Sequence, residues 1–137
     1  MTAQLISVFI GVVGFAVLLE VPKKYIAFCG LAGMIGWAAY LAAKMFLPVG
    51  SVFFSSFCVA FLSQIFARRL KCPVTVFLIP GIYPSVPGAG IYRTVYYVLM
   101  GENTLAGHYL LETLTTAGMI ALGIYIVDIL WNLKKQN

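Results

Sequence analysis

Long apolar runs separated by a few prolines and short basic clusters dominate this chain, and the runs have lengths that suit membrane crossing. A transmembrane helix needs about 20 predominantly apolar residues. On that measure the pattern predicts spans over residues 3–19, 25–46 and 50–67, and an interrupted fourth over 75–100. A fifth starts between residues 104 and 109 and ends near Trp131. The first run stops at Glu20-Val21-Pro22 and the second at Pro48. The runs are apolar on all faces, unlike the one-sided stripe of a helix on a soluble core. The expected fold is an all-α integral membrane protein with about five transmembrane helices, the fourth broken by a Pro/Gly-rich segment. Residues 1–137 form a single transmembrane domain. The last run carries no proline over residues 104–133, so its helix extends past the bilayer or tilts.

The interruption is the most informative stretch. Residues 80–93 read Pro-Gly-Ile-Tyr-Pro-Ser-Val-Pro-Gly-Ala-Gly-Ile-Tyr-Arg. Each proline removes an N–H and clashes with the preceding turn. Unpaired backbone groups cost several kcal/mol in hydrocarbon, so this backbone must be buried in protein or line a wet cavity. Ile79, preceding Pro80, is biased away from helix, which predicts that a first half-helix ends there. Pro84 and Pro87 predict an extended linker, and a second half-helix is expected to begin near residues 88–91. Its N-terminus presents free N–H groups and partial positive charge, suited to a carboxylate or small anion. Such discontinuous helices recur in secondary transporters. The candidate substrate-binding residues are Pro80, Gly81, Tyr83, Ser85, Pro87, Gly88, Gly90, Tyr92 and Arg93. The segment either crosses once as a broken span or returns as a re-entrant hairpin.

Arg93 lies one turn into the second half-helix. An intramembrane Arg is costly and marks a functional candidate; the alternatives are that it snorkels outward or pairs with Glu102 or Glu112. Tyr92 and Tyr96, and Arg93 and Tyr97, are four apart and line a polar path or an interfacial belt. Glu112 is the candidate proton-coupling or substrate-handling carboxylate. Asp128, close to Lys134 and Lys135, reads as interfacial, and Glu20 as a boundary marker. In the second run Ala32, Gly36, Ala39 and Ala43 share one face and predict close helix packing.

Composition narrows the class. The chain is 62% hydrophobic and 9% charged, against roughly 25% charged in soluble domains. The formal net charge of +5 sits in clusters beside apolar runs, which is a topology signal and not a nucleic-acid surface. Lys23 and Lys24, Arg68, Arg69 and Lys71, and Lys134 and Lys135 fall on one side if the chain crosses five times. The positive-inside rule then puts the N-terminus outside and the C-terminus in the cytoplasm. No cleavable signal peptide is expected, because no Lys or Arg precedes the first run. Cys29, Cys58 and Cys72 are widely spaced and His108 is the sole histidine, so no metal site and no cofactor are expected. There is no Gly-x-Ser-x-Gly, and no catalytic residues or enzyme activity are expected.

The run from Val74 to Tyr92, with Pro80-Gly81, Val86-Pro87-Gly88 and Tyr92, followed by Gly101, resembles the signature of the threonine/serine exporter family. Glu112-Thr113 followed by Ala117-Gly118 is a second cue. The likeness is to the small YjjB-like subunit, equivalent to the C-terminal membrane half of fused ThrE-type exporters. It implies a bacterial inner-membrane, proton-motive-force-driven exporter of small hydrophilic amino acids such as threonine and serine. It also implies half a transporter, with a separate YjjP-like membrane subunit as partner. Helix N-termini with an Arg suit an amino-acid carboxylate, and a small dicarboxylate as well. The competing expectation is a non-transporting membrane scaffold that recruits partners through its small-residue faces.

Overall fold

The computed structural model describes residues 2–47 and 50–136, all of whose regular elements are helical. These are α1 (Thr2–Leu18), α2 (Lys23–Lys44), α3 (Ser51–Leu70), α4 (Thr75–Ile82), α5 (Gly88–Leu99) and α6 (Asn103–Gln136). A 3₁₀ turn, Tyr83–Ser85, follows α4. Pro48, expected to end the second run, lies outside the described residues.

The expectation of about five transmembrane helices is corrected. Among the described residues three helices are long and apolar enough to cross a membrane: α2 with 22 residues, α3 with 20 and α6 with 34. At about 1.5 Å per residue, the 17 residues of α1 fall short of a hydrocarbon core about 30 Å thick. The fourth run is divided between α4, with 8 residues, and α5, with 12. Neither piece alone is long enough. Hydropathy counted the run as one length, whereas its prolines and glycines cut it into two helices.

Helix ends follow one design in three places. After α1 the Glu20 N–H bonds the Val17 carbonyl and the Val21 N–H the Ala16 carbonyl, with Glu20 at φ 60°. After α3 the Cys72 N–H bonds the Ala67 carbonyl, with Lys71 at φ 55°. After α5 the Gly101 N–H bonds Val98 and the Glu102 N–H bonds Tyr97, with Gly101 at φ 80°. These are Schellman-type caps, which satisfy carbonyls that the helix cannot. Pro22 and Pro73 follow the first two and prevent the helix from continuing.

The helix did not stop at Ile79 as expected. α4 continues through Pro80 to Ile82. A helical proline leaves the carbonyl four residues earlier without its donor. That carbonyl belongs to Val76, and the Cys29 thiol of α2 donates to it at 3.2 Å. Pro84, expected in an extended linker, sits in the 3₁₀ turn. Val86 is extended, and Pro87, at φ −80° and ψ 57°, centres a tight turn in which the Gly88 N–H bonds the Val86 carbonyl at 2.8 Å.

α2 is the hub and packs on α1, α3 and α4, while α3 also packs on α6. Cβ atoms at Gly33 and Gly36 would strike Val12 of α1 and Val59 of α3. Ala32 is buried with these glycines, whereas Ala39 and Ala43 line an apolar surface groove. The small-residue face is therefore an internal contact over half its length. A buried core joins Val12, Ala16, Cys29, Ala67 and Phe77, with Tyr25, Leu70 and Cys72 around it. Lys23 and Lys24 adjoin Tyr25, and the Arg68 guanidinium lies 4.8 Å from the Trp131 ring of α6. The three basic clusters thus meet at one end of the bundle.

Candidate functional site

The broken segment is held against α3 by a polar contact. Ser55 is 1% exposed, and its hydroxyl lies 3.0 Å from that of Ser85. Beyond Ser85 the chain turns at Pro87 and starts α5 at Gly88 without a side-chain cap. The close run of α5 along α6 depends on Gly90, where a Cβ would collide with the Thr113 hydroxyl. These constraints bring the break, the first turns of α5 and the N-terminal half of α6 around one cavity of about 230 Å³. That is below the roughly 300–1,000 Å³ of sites for drug-sized ligands, so the space suits a small metabolite.

Ser85, Pro87, Gly90 and Arg93 line the cavity from the break and α5, and Glu112 lines it from α6. The Arg93 guanidinium stands 5.5 Å from the Tyr109 ring centroid, a cation–π distance. Tyr109 is also stacked on Tyr97, with ring centroids 5.4 Å apart, so both Arg93 and Tyr97 of α5 pack on its ring. Arg93 makes no ion pair with Glu102 or Glu112; Glu112 instead lies 3.8 Å from His108 on its own helix. The cavity therefore has a cation and a carboxylate on its walls that do not neutralise each other directly. Thr113 and Thr116 donate to the Tyr109 and Glu112 carbonyls at 2.7 and 2.9 Å, leaving oxygen lone pairs as acceptors. Ala89 and Gly90, in the uncapped first turn of α5, also line the cavity.

The other expected site residues lie elsewhere. Pro80 and Gly81 are buried, and a Cβ at Gly81 would meet Val59 at 2.8 Å. Tyr83 stacks on Phe15 of α1 at 4.3 Å. Gly88 faces open space. Tyr92 is exposed and stacks on Tyr96. None of these five borders the cavity. Trp37 and Tyr40, which hydropathy does not single out, stack at 4.7 Å and form the α2 wall. Tyr109, which it does not single out either, lines the cavity from α6. The Trp37 indole N–H is buried with no acceptor. An aromatic pair three apart on a helix otherwise rich in alanine and glycine was the available signal. Among the described residues no three His, Cys, Asp or Glu side chains gather as a metal site.

No solved structure matches the chain. It is 28% identical over 125 residues to a protein named threonine/serine exporter from Corynebacterium glutamicum, covering 90% of this chain. It spans about a quarter, 26%, of that relative's length. The family model described as "Threonine/Serine exporter, ThrE" matches residues 4–130. With nearly its whole length inside that match, this multi-pass membrane protein belongs to the ThrE-type threonine/serine exporter family.

Proposed function

We propose that this chain is the YjjB-like membrane subunit of an exporter of small hydrophilic α-amino acids, threonine and serine foremost. The observation that carries the reading is the pairing of Arg93 and Glu112 on the walls of one small cavity without an ion pair between them. An α-amino acid is a zwitterion. Its carboxylate is matched by the Arg93 guanidinium and the first-turn N–H groups of α5. Its ammonium is matched by Glu112 and the faces of Tyr109, Trp37 and Tyr40. The Ser85, Thr113 and Thr116 oxygens serve a side-chain hydroxyl. A dicarboxylate fits less well, because Glu112 would repel its second charge. The family is one of transporters, which agrees with a binding role for these groups and not a catalytic one.

Glu112 exchanges its proton for substrate in this reading, coupling export to the proton-motive force. The basic end, where α3 and α6 finish, faces the cytoplasm by the positive-inside rule, which puts the C-terminus inside. The cavity is then nearer the outer end, since it is built from Trp37 and Tyr40 late in α2, Val52 early in α3 and residues 109–116 of α6. A separate YjjP-like subunit supplies what the longer relative carries in one chain. The exposed face of α5, which has no buried residue, is the natural contact for it.

The test is flux of labelled threonine in liposomes containing this chain with a YjjP-like partner, under an imposed proton gradient. Gradient-dependent flux that disappears in Arg93→Gln is expected. A well-folded complex that moves no amino acid would leave the scaffold reading in its place.

A further inference from the structure

The seam between α3 and α6 at the basic end is built differently from the cavity. Both helices run toward this end, and Trp131 sits between them. Its ring lies edge-on to Phe61 at 5.8 Å, with Arg68 at 4.8 Å and Lys134 at 5.7 Å from its centroid. Trp131 separates two recesses. One is polar and contains Arg68, Asp128 and Lys135. The other is an apolar groove of about 380 Å³ rimmed by Arg69 and Lys134.

The groove's walls follow helical periodicity. Phe57, Phe61, Ile65 and Arg69 are successive fourth residues on one face of α3. Val127, Leu130 and Lys134 descend in parallel on α6. Twelve residues at about 1.5 Å each make a channel of about 18 Å, which leads from two cations into the apolar body of the helices. No carboxylate borders it; Asp128 lies in the other recess. Two cations at the head of an apolar furrow match a molecule with a negative head and a hydrocarbon tail. Basic pockets between membrane helices bind anionic headgroups for this reason.

We propose that this groove is a site for an anionic phospholipid, its phosphate held by Arg69 and Lys134 and one acyl chain lying along Phe57, Phe61, Ile65 and Leu130. The site is independent of the transport reading and lies at the other end of the bundle from the cavity. A zwitterionic lipid offers the same tail but cancels the attraction of the two cations. Free glycerophosphate offers the charge without the tail.

The chain has two tryptophans, Trp37 and Trp131. Trp37→Phe leaves Trp131 as the reporter in the groove wall. The full chain in nanodiscs is titrated with brominated phosphatidylglycerol or brominated phosphatidylcholine, and Trp131 quenching is followed. The anionic lipid is expected to reach half-quenching at a mole fraction about tenfold lower. Arg69→Gln with Lys134→Gln should abolish that preference, and Lys23→Gln with Lys24→Gln, at the same end, should keep it. Glycerophosphate should not compete. Equal quenching by the two lipids in the Trp37→Phe chain would overturn the proposal even if the double variant failed to fold. So would an equal loss of preference in both double variants, or displacement by glycerophosphate.

Discussion

The thiol of Cys29 on α2 donates to the Val76 carbonyl on α4 at 3.2 Å, filling the helical hydrogen bond that Pro80 removes. A cysteine that reads in sequence as a small apolar residue is thereby the donor that lets a buried proline stay inside a helix. Both Cys29 and Pro80 are fully buried, so water cannot substitute. Cys29→Ala should destabilise the protein by about 1–3 kcal/mol, the cost of an unsatisfied buried carbonyl. Cys29→Ser, which keeps a donor, should lose less. Pro80→Ala restores an N–H to the helix, so the Cys29→Ala penalty should shrink in that background. A double-mutant cycle by thermal unfolding in detergent measures the coupling, and additive effects would show that the thiol and the proline are unrelated.

Gly90 sets the distance between α5 and α6. Gly90→Ala forces its new Cβ against the Thr113 hydroxyl, which is committed to the Tyr109 carbonyl at 2.7 Å. Overpacking of this kind costs about 1–3 kcal/mol, and here it also widens the cavity wall. Binding of free alanine, which has no side-chain hydroxyl for Thr113 to meet, should weaken by calorimetry in Gly90→Ala and recover in Gly90→Ala/Thr113→Ala. Gly88→Ala should bind normally, because nothing lies within 4 Å of that position.

Arg93 and Glu112 should read opposite ends of the ligand. Arg93→Gln should weaken threonine by about tenfold or more, the scale of a charge-assisted hydrogen bond. It should leave threoninol, which lacks the carboxylate, little changed. Glu112→Gln should weaken threonine and threoninol alike, since both carry the ammonium, and leave 3-hydroxybutyrate, which lacks it, little changed. Equal losses for threonine and threoninol in Arg93→Gln, and for threonine and 3-hydroxybutyrate in Glu112→Gln, would mean the residues shape the cavity without contacting the ligand.

Gly123 is where α6 meets the backbone of α3. A Cβ there would lie 3.0 Å from the Phe53 carbonyl oxygen and 3.1 Å from the Phe57 nitrogen, and would overlap the Ser56 hydroxyl. Backbone cannot rotate away as a side chain can. Gly123→Ala should therefore lower the unfolding midpoint clearly, while Gly118→Ala, with open space around it, should be neutral or slightly stabilising. Matching midpoints would mean that α6 is free to slide on α3.

The break at residues 80–93 was legible because proline and glycine chemistry is local. The stretch does divide into two helices, with α5 starting at Gly88. Its consequences were only half legible. Pro80 and Gly81 carry a conspicuous signature, yet they lie buried against α2 and α3 and away from the cavity. Tyr83 and Tyr92 share the irregular region but turn to Phe15 and Tyr96. Arg93 and Glu112 are conspicuous as charges in apolar sequence, and both line the cavity. Trp37, Tyr40 and Tyr109 stayed hidden because aromatic residues are common in membrane helices and nothing local ties residue 37 to residue 109.

By itself the sequence determined the membrane class, the helical content, the position of the break and which charged residues stand inside apolar stretches. Each follows from hydropathy, from proline's missing N–H or from the cost of charge in hydrocarbon, all properties of neighbouring residues. Only the tertiary structure decided that three helices among the described residues, not about five, are long enough to cross, and which half of the candidate residues shares a cavity. It also decided that a thiol on α2 completes a helix on α4. Those outcomes depend on contacts between segments tens of residues apart, where packing at single glycines and one hydrogen bond choose among arrangements that hydropathy cannot distinguish.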